Sequence, residues 1–141
     1  MEKIVWDEAV HGTGHPLLDK EHHAIVEMYN KVIERYHQDI YDRKLYLVDL
    51  LAILNRMGSH FSVEEGMLME YPDLLELERE EHGNISDQLT RFIATPSADQ
   101  IDPLLEYVSG WLSDHLPKEA EEFRVLFQQQ AIERQEKRRV A

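Results

Sequence analysis

The chain has no cysteine. Disulfides, thiolate metal sites and redox thiols are therefore excluded. Proline and glycine are scarce, at 5 and 6 residues of 141, and most stand where they punctuate structure. Positive charge is outnumbered: 15 Lys and Arg face 28 Asp and Glu, a formal net charge of −13. Nucleic acid and anionic membrane both require a basic face, so neither is an expected partner. Long apolar runs are missing too. The opening residues MEKIVWDEAVHG hold no signal-like stretch, and nothing is long and apolar enough to cross a bilayer. A cytoplasmic location is expected. What is present is an apolar fraction of 43%, enough at this length for one domain with a real core. That domain is expected to cover residues 1–141, with an N-terminal loop at 1–18 and a C-terminal tail at 128–141 that is helical or frayed.

The apolar residues recur at helical spacing almost throughout. Within the first eighteen residues Trp6 and Val10 are expected apolar anchors, and the glycines and Pro16 mark a loop. Asp19 is the expected N-cap of a first helix over about 19–38, whose stripe runs through Leu18, His22, Ile25, Val26, Tyr29, Val32, Ile33 and Tyr36. His23 and His37 fall off that stripe, toward solvent. A second helix is expected over about 43–70, with His60, Phe61 and Glu64 on its apolar seam. Gly58 inside it costs about 1 kcal/mol relative to Ala, so a close packing contact is expected there. The third helix runs from Asp73 to about Ala94, with Glu78, His82, Ile85 and Leu89 on one side. The fourth starts near Ile101–Asp102, with Pro103 in its first turn. Its stripe leads to Trp111, Leu112 and His115. Pro117 removes a backbone hydrogen bond and clashes with the preceding turn, which predicts a kink, or a stop and a fresh start. With no convincing strand, the fold class is all-α, an antiparallel up-down-up-down four-helix bundle.

Chemistry concentrates between His60 and His82, in HFSVEEGMLMEYPDLLELEREEH. His60 and Glu64 are four apart, as are Glu78 and His82 in mirror order. Residues four apart share a helix face, about 6 Å apart along the axis. Two antiparallel helices would each aim one imidazole and one carboxylate at a common point. His22 and His115 add one histidine from each remaining seam. A lone buried histidine is more often a hydrogen-bonded core residue than a ligand. Four on four facing seams are different. Left unpaired they would cost about 1–3 kcal/mol each, against a total stability of about 5–15 kcal/mol for a small domain. A metal pair removes that cost, and nitrogen and oxygen ligands without sulfur suit iron, manganese or zinc. The expected ligands are His22, His60, Glu64, Glu78, His82 and His115.

Taken together, Trp6, LDKEH at 18–22, HFSVEE at 60–65, Tyr71-Pro72, His82 and WLSDH at 111–115 resemble the hemerythrins, specifically the bacterial ones. The resemblance covers the chain up to Phe127. It implies a four-helix bundle holding two non-haem iron ions, joined by an oxo or hydroxo bridge, that binds O2. It further implies that His22 and His60 hold one iron, His82 and His115 the other, and that Glu64 bridges them. Trp111 and Leu112 match the family's apolar wall beside the O2 pocket, and ordinary core packing accounts for them equally well. Phe123, where the family often has an aromatic residue, has no hydroxyl to donate. His11 and His15 sit in a loop, where a role in the pocket or behind the ligands is the alternative to none.

Two positions depart from the family. Glu78 stands where a histidine is usual, four before His82, and Ala120 stands where an aspartate bridge is usual, five after His115. The losses look compensatory. Glu78 is expected to replace the missing bridge; the alternative is that Pro117 re-aims the chain so that Glu119 or Glu121 fills the gap. With Glu78 as the bridge, each metal would have two histidines, and both could keep open or water-filled positions. The leading expectation is a protein that stores, delivers or senses O2 or a related small molecule. The alternatives are a di-iron oxidase or peroxidase, since openings on both metals favour oxidation over clean release, and a metal-poor helical scaffold. No Ser/His/Asp nucleophile arrangement and no phosphate loop is present, so any reaction must be metal-borne.

Overall fold

In the computed structural model, which describes residues 1–140, every regular element is a helix; no strand occurs among the described residues. A single-turn helix α1 (Glu8–His11) precedes four long ones: α2 (Pro16–His37), α3 (Arg43–Met67), α4 (Pro72–Ala94) and α5 (Ala98–Val140). They form a helical bundle in which α2 packs on α3, α3 on α4, and both α1 and α4 on α5. Among the described residues no helix is long and apolar enough to cross a membrane.

Local chemistry sets the helix boundaries. Helix α2 starts at Pro16, whose missing N–H costs nothing in a first turn. Its N-cap is His15, which accepts from the Leu18 N–H, and not Asp19. Asp19 instead accepts from the Thr13 N–H and Oγ1, both at 2.8 Å, and ties the incoming loop to the helix. Asp42 caps α3 by accepting from Lys44 and Leu45. Helix α4 again opens on a proline, Pro72.

Three further local expectations fail. Val10 is exposed, and the N-terminal anchors are Met1, Ile4 and Trp6, which pack against the core. A Cβ on Gly58 would meet nothing within 4 Å, so no close approach explains that glycine. Helix α5 begins at Ala98, which puts Pro103 inside it, and continues through Pro117 without a stop. A proline removes one hydrogen bond from a helix, and at Pro117 tertiary packing outweighs that loss: Leu112, Leu116, Ala120 and Phe123 are all buried on the flanking turns.

The core has two apolar parts. The larger includes Ile25, Tyr29 and Ile33 of α2, Leu50, Ile53 and Met57 of α3, Ile85 and Leu89 of α4, and Leu105, Val108 and Leu112 of α5. The smaller comprises Leu18, Leu68, Leu75, Phe123 and Leu126. Where the two parts meet, each long helix buries a histidine (His22, His60, His82 and His115), and α3, α4 and α5 each bury a glutamate as well (Glu64, Glu78 and Glu119).

Candidate metal centre

His22 lies one turn after Leu18 and one before Val26, so the apolar periodicity of α2 carries it inward. The same logic buries His60 and Glu64 on α3, Glu78 and His82 on α4, and His115 and Glu119 on α5. All seven are at most 5% exposed. All six residues expected from the sequence are thus interior, and a seventh, Glu119, joins them.

They form two groups. His22, His60, Glu64 and Glu119 each offer one ligand atom, all within 4.8 Å of one another; Glu78, His82, His115 and Glu119 do the same. Glu119 is the shared member, a place the sequence reading gave first to Glu64 or Glu78. Its Oε1 lies 2.9 Å from His22 Nε2, and its Oε2 faces His115 Nε2. His60 Nε2 is 2.5 Å from Glu64 Oε1. His82 Nε2 is 3.1 Å from Glu78 Oε2, and His115 Nε2 is 3.7 Å from the same oxygen. Three of these pairs, His60–Glu64, Glu78–His82 and His115–Glu119, are four residues apart on one helix. The third exists because α5 runs on through Pro117. Ala120, at the fifth position, points into packing instead and is fully buried.

Several of these atoms are close yet not hydrogen-bonded. Both Glu64 oxygens, Oε2 of Glu78 and Glu119, and Nε2 of His60, His82 and His115 are buried without a hydrogen-bond partner. Orphaned buried polar atoms are rare in native proteins because each is costly. Here they converge on two points instead of aligning on one another, as donors to a cation do. Three buried carboxylates also bring negative charge that cations would balance. The residues present therefore fit a pair of metal ions.

Outer carboxylates meet the far sides of three imidazoles. Glu65 Oε2 accepts from His82 Nδ1 at 3.1 Å, Glu81 Oε2 lies 2.6 Å from His115 Nδ1, and Glu21 Oε1 lies 3.4 Å from His60 Nδ1. A carboxylate on Nδ1 fixes the tautomer that presents the Nε2 lone pair inward. None of these three glutamates was singled out from the sequence, although Glu65 and Glu81 directly adjoin the ligand pairs.

Protonation follows from burial and charge. Burial opposes charge on His60, but Glu64 and Glu21 outweigh it and hold its pKa above the ordinary value. His82 is raised in the same way, by Glu78 and Glu65 against burial. Burial wins at His115, whose pKa is lowered despite Glu78 and Glu81. Burial also works upward on Glu64, yet the adjacent His22 and His60 imidazoles hold its carboxyl at about 2. Burial and the neighbouring Glu78 push the half-buried Glu122 up to about 7.

Aromatic rings wall the second group. Phe61 stacks on His82 with centroids 3.7 Å apart, and Trp111 stacks on His115 at 4.1 Å. Leu112 is buried in the larger core. Phe123 belongs to the smaller apolar part below the layer. His11 and His15 serve backbone capping: His11 Nδ1 accepts from the Asp7 N–H, and His15 caps α2. His23 and His37 are exposed.

A family model described as a Hemerythrin HHE cation binding domain matches residues 13–126, a span that contains all seven buried ligand candidates. No curated protein and no solved structure gives a significant match.

Proposed function

The chain belongs to the hemerythrin family, and from that premise we propose that it is a dinuclear non-haem iron protein that binds O2. Connections of a few residues between successive long helices favour antiparallel neighbours. The smaller apolar part draws on the start of α2, the end of α3 and the start of α4. Both features support an up-down-up-down arrangement of the four long helices. Such an arrangement makes residues 1–141 one domain built around the histidine layer.

One observation carries the functional reading: two groups of four buried donors share Glu119. His22, His60 and Glu64 would hold one ion, Glu78, His82 and His115 the other, and Glu119 would join them. The donors are imidazole nitrogens and carboxylate oxygens, which suit iron, with manganese and zinc as competitors. A bound pair of iron ions would supply reversible electron donation to a small oxidant such as O2. The chain's own residues bury the pair, exclude bulk water through the apolar parts on either side, and keep the imidazoles oriented through Glu21, Glu65 and Glu81.

A second reading, reduction of O2 or a peroxide as an enzyme, is favoured by a specific feature. The two groups have the same make-up, two histidines, one carboxylate of their own and the shared carboxylate. Neither ion would be saturated by protein, so both could meet the small molecule.

Metal analysis of protein purified without added metal comes first, and two irons per chain is the expected result. Anaerobic reduction followed by O2 titration then separates the readings. A reversible visible absorption band on O2 addition supports carriage or sensing; a transient band with turnover supports an enzyme. Protein that contains no iron and shows no band would be a scaffold. Glu78→Ala with unchanged iron loading would exclude Glu78 as a required ligand.

A further inference from the structure

The two groups match in donors but differ in what stands behind them. In the Glu78–His82–His115 group both imidazoles have a carboxylate at Nδ1, and each of those carboxylates is itself held by a cation. Arg79 Nε lies 3.0 Å from Glu65 Oε1, and Lys118 Nζ lies 2.7 Å from Glu81 Oε1. Glu65 meets His82 in an aligned hydrogen bond; Glu81 is closer to His115 but off-line. In the His22–His60–Glu64 group the support is thinner. Glu21 stands 3.4 Å from His60 Nδ1, the two atoms make no hydrogen bond, and Glu21 Oε1 has no other partner. His22 Nδ1 is buried with no partner at all, while its Nε2 is engaged with Glu119.

The consequence follows from tautomer chemistry. A metal takes the deprotonated Nε2, so the ring proton must reside on Nδ1. At His82 and His115 a fixed carboxylate waits for that proton. At His22 the contact with Glu119 favours a proton on Nε2, and moving it to Nδ1 leaves a buried N–H unsatisfied. Charge works in the opposite sense, because Glu21 lacks a cation and is the less neutralised carboxylate. That effect is small: Arg79 and Lys118 are about half exposed, so water screens their charge and they orient their carboxylates more than they cancel them.

Resting on the dinuclear reading above, we infer that the two metal positions are unequal: Glu65 and Glu81, pinned by Arg79 and Lys118, make the Glu78–His82–His115 position the tighter one, and it fills first. Loss of an outer partner of a metal-bound histidine costs about 10–100-fold in metal affinity. One position has an aligned partner in Glu65 and a close, off-line one in Glu81 at 2.6 Å, the other only an off-line one in Glu21 at 3.4 Å, so a difference of about tenfold or more is expected.

The test uses the full chain, loaded anaerobically with Fe(II) and dialysed against chelator buffers of graded free Fe(II), with ions retained per chain counted. Two release steps are expected, separated by about tenfold or more. Glu81→Ala should weaken the tighter step by about 10–100-fold and leave the other in place. Glu81→Gln, which keeps an acceptor oxygen, should shift the same step less, as should Lys118→Met, which touches no ligand. Glu21→Gln should move only the weaker step. A general loss of structure would move both steps together, and the circular dichroism of each variant reports it independently. Two ions released in one step, or a Glu81 variant and a Glu21 variant acting on the same step, would overturn the inference while leaving the dinuclear reading intact. One ion per chain, lost in Glu81→Ala and kept in Glu21→Gln, would overturn the dinuclear reading and uphold the ranking of positions. Retention of no ion would overturn both.

Discussion

The larger apolar core and the histidine–glutamate layer beneath it are equally buried, and they meet opposite demands. Leu89, Ile85 and Ile33 are fully enclosed, and removal from water is all that their side chains require. Glu64, Glu78 and Glu119 are enclosed just as fully, and for them the same burial is a cost unless something replaces water. Ordinary hydrogen bonding does not replace it, since the layer keeps most of its inward-facing atoms unpartnered. The core is complete with the chain alone, whereas the layer leaves unpartnered donors grouped as ligands to a cation would be.

The sharpest way to break that contrast is to remove the shared carboxylate. Glu119→Ala should reduce metal content from two ions per chain to one or none, measured by elemental analysis; full loading would show that Glu119 is dispensable. Next comes an attack on the core. Leu89→Ala should cost about 2–5 kcal/mol, read as a lower denaturant midpoint, with metal content per folded chain unchanged. A parallel loss of metal would mean that the two regions are not separable.

Acidity should separate the regions more gently. The raised values of His60 and His82 mean that the folded metal-free chain binds protons more tightly than the unfolded chain. Their stabilisation is fully present below the ordinary histidine value of 6.5 and is lost as pH rises through the raised values. Glu122, pushed up to about 7, acts in the same direction, and His115, whose value is lowered, opposes in part. Metal binding requires neutral imidazoles. Metal-free protein should therefore lose thermal stability as pH rises above about 6.5, while loaded protein should gain it over that same neutral range. Melting temperatures with slopes of the same sign in both forms would refute this. Smallest of all is the effect expected outside both regions. Ile132, 57% exposed on the distal part of α5, should change stability by no more than about 0.5 kcal/mol when replaced by alanine, with no change in metal content.

Much of the layer was legible in the sequence because one rule produced it. Four-residue spacing on an apolar seam marks His60 with Glu64 and Glu78 with His82, and the same stripe carries His22 and His115. Glu119 obeys the rule too, four after His115. It stood only as an alternative that depended on Pro117 re-aiming the chain, whereas it is the helix running on through Pro117 that places it. The signal that could have found it is the flanking pattern: Leu112, Leu116, Ala120 and Phe123 keep the apolar period unbroken across the proline. Glu21, Glu65 and Glu81 were not legible, since an exposed-looking glutamate in a charged run differs from its neighbours only in which imidazole it meets. Gly58 misled in the other direction: a glycine in a helix invited a packing explanation, and the position is open.

Periodicity and residue type, local properties of the chain, determined by themselves that this protein is helical, which faces of its helices are buried, and that imidazoles and carboxylates lie on those faces. Pairing across helices was decided only by the fold. Helix continuation through Pro117 gives Glu119 to both groups, and the fold also sets which outer carboxylate reaches which Nδ1 and leaves His22 Nδ1 with none. Those outcomes depend on distances between side chains far apart in sequence. The packing of whole helices fixes such distances, and no spacing along the chain encodes them.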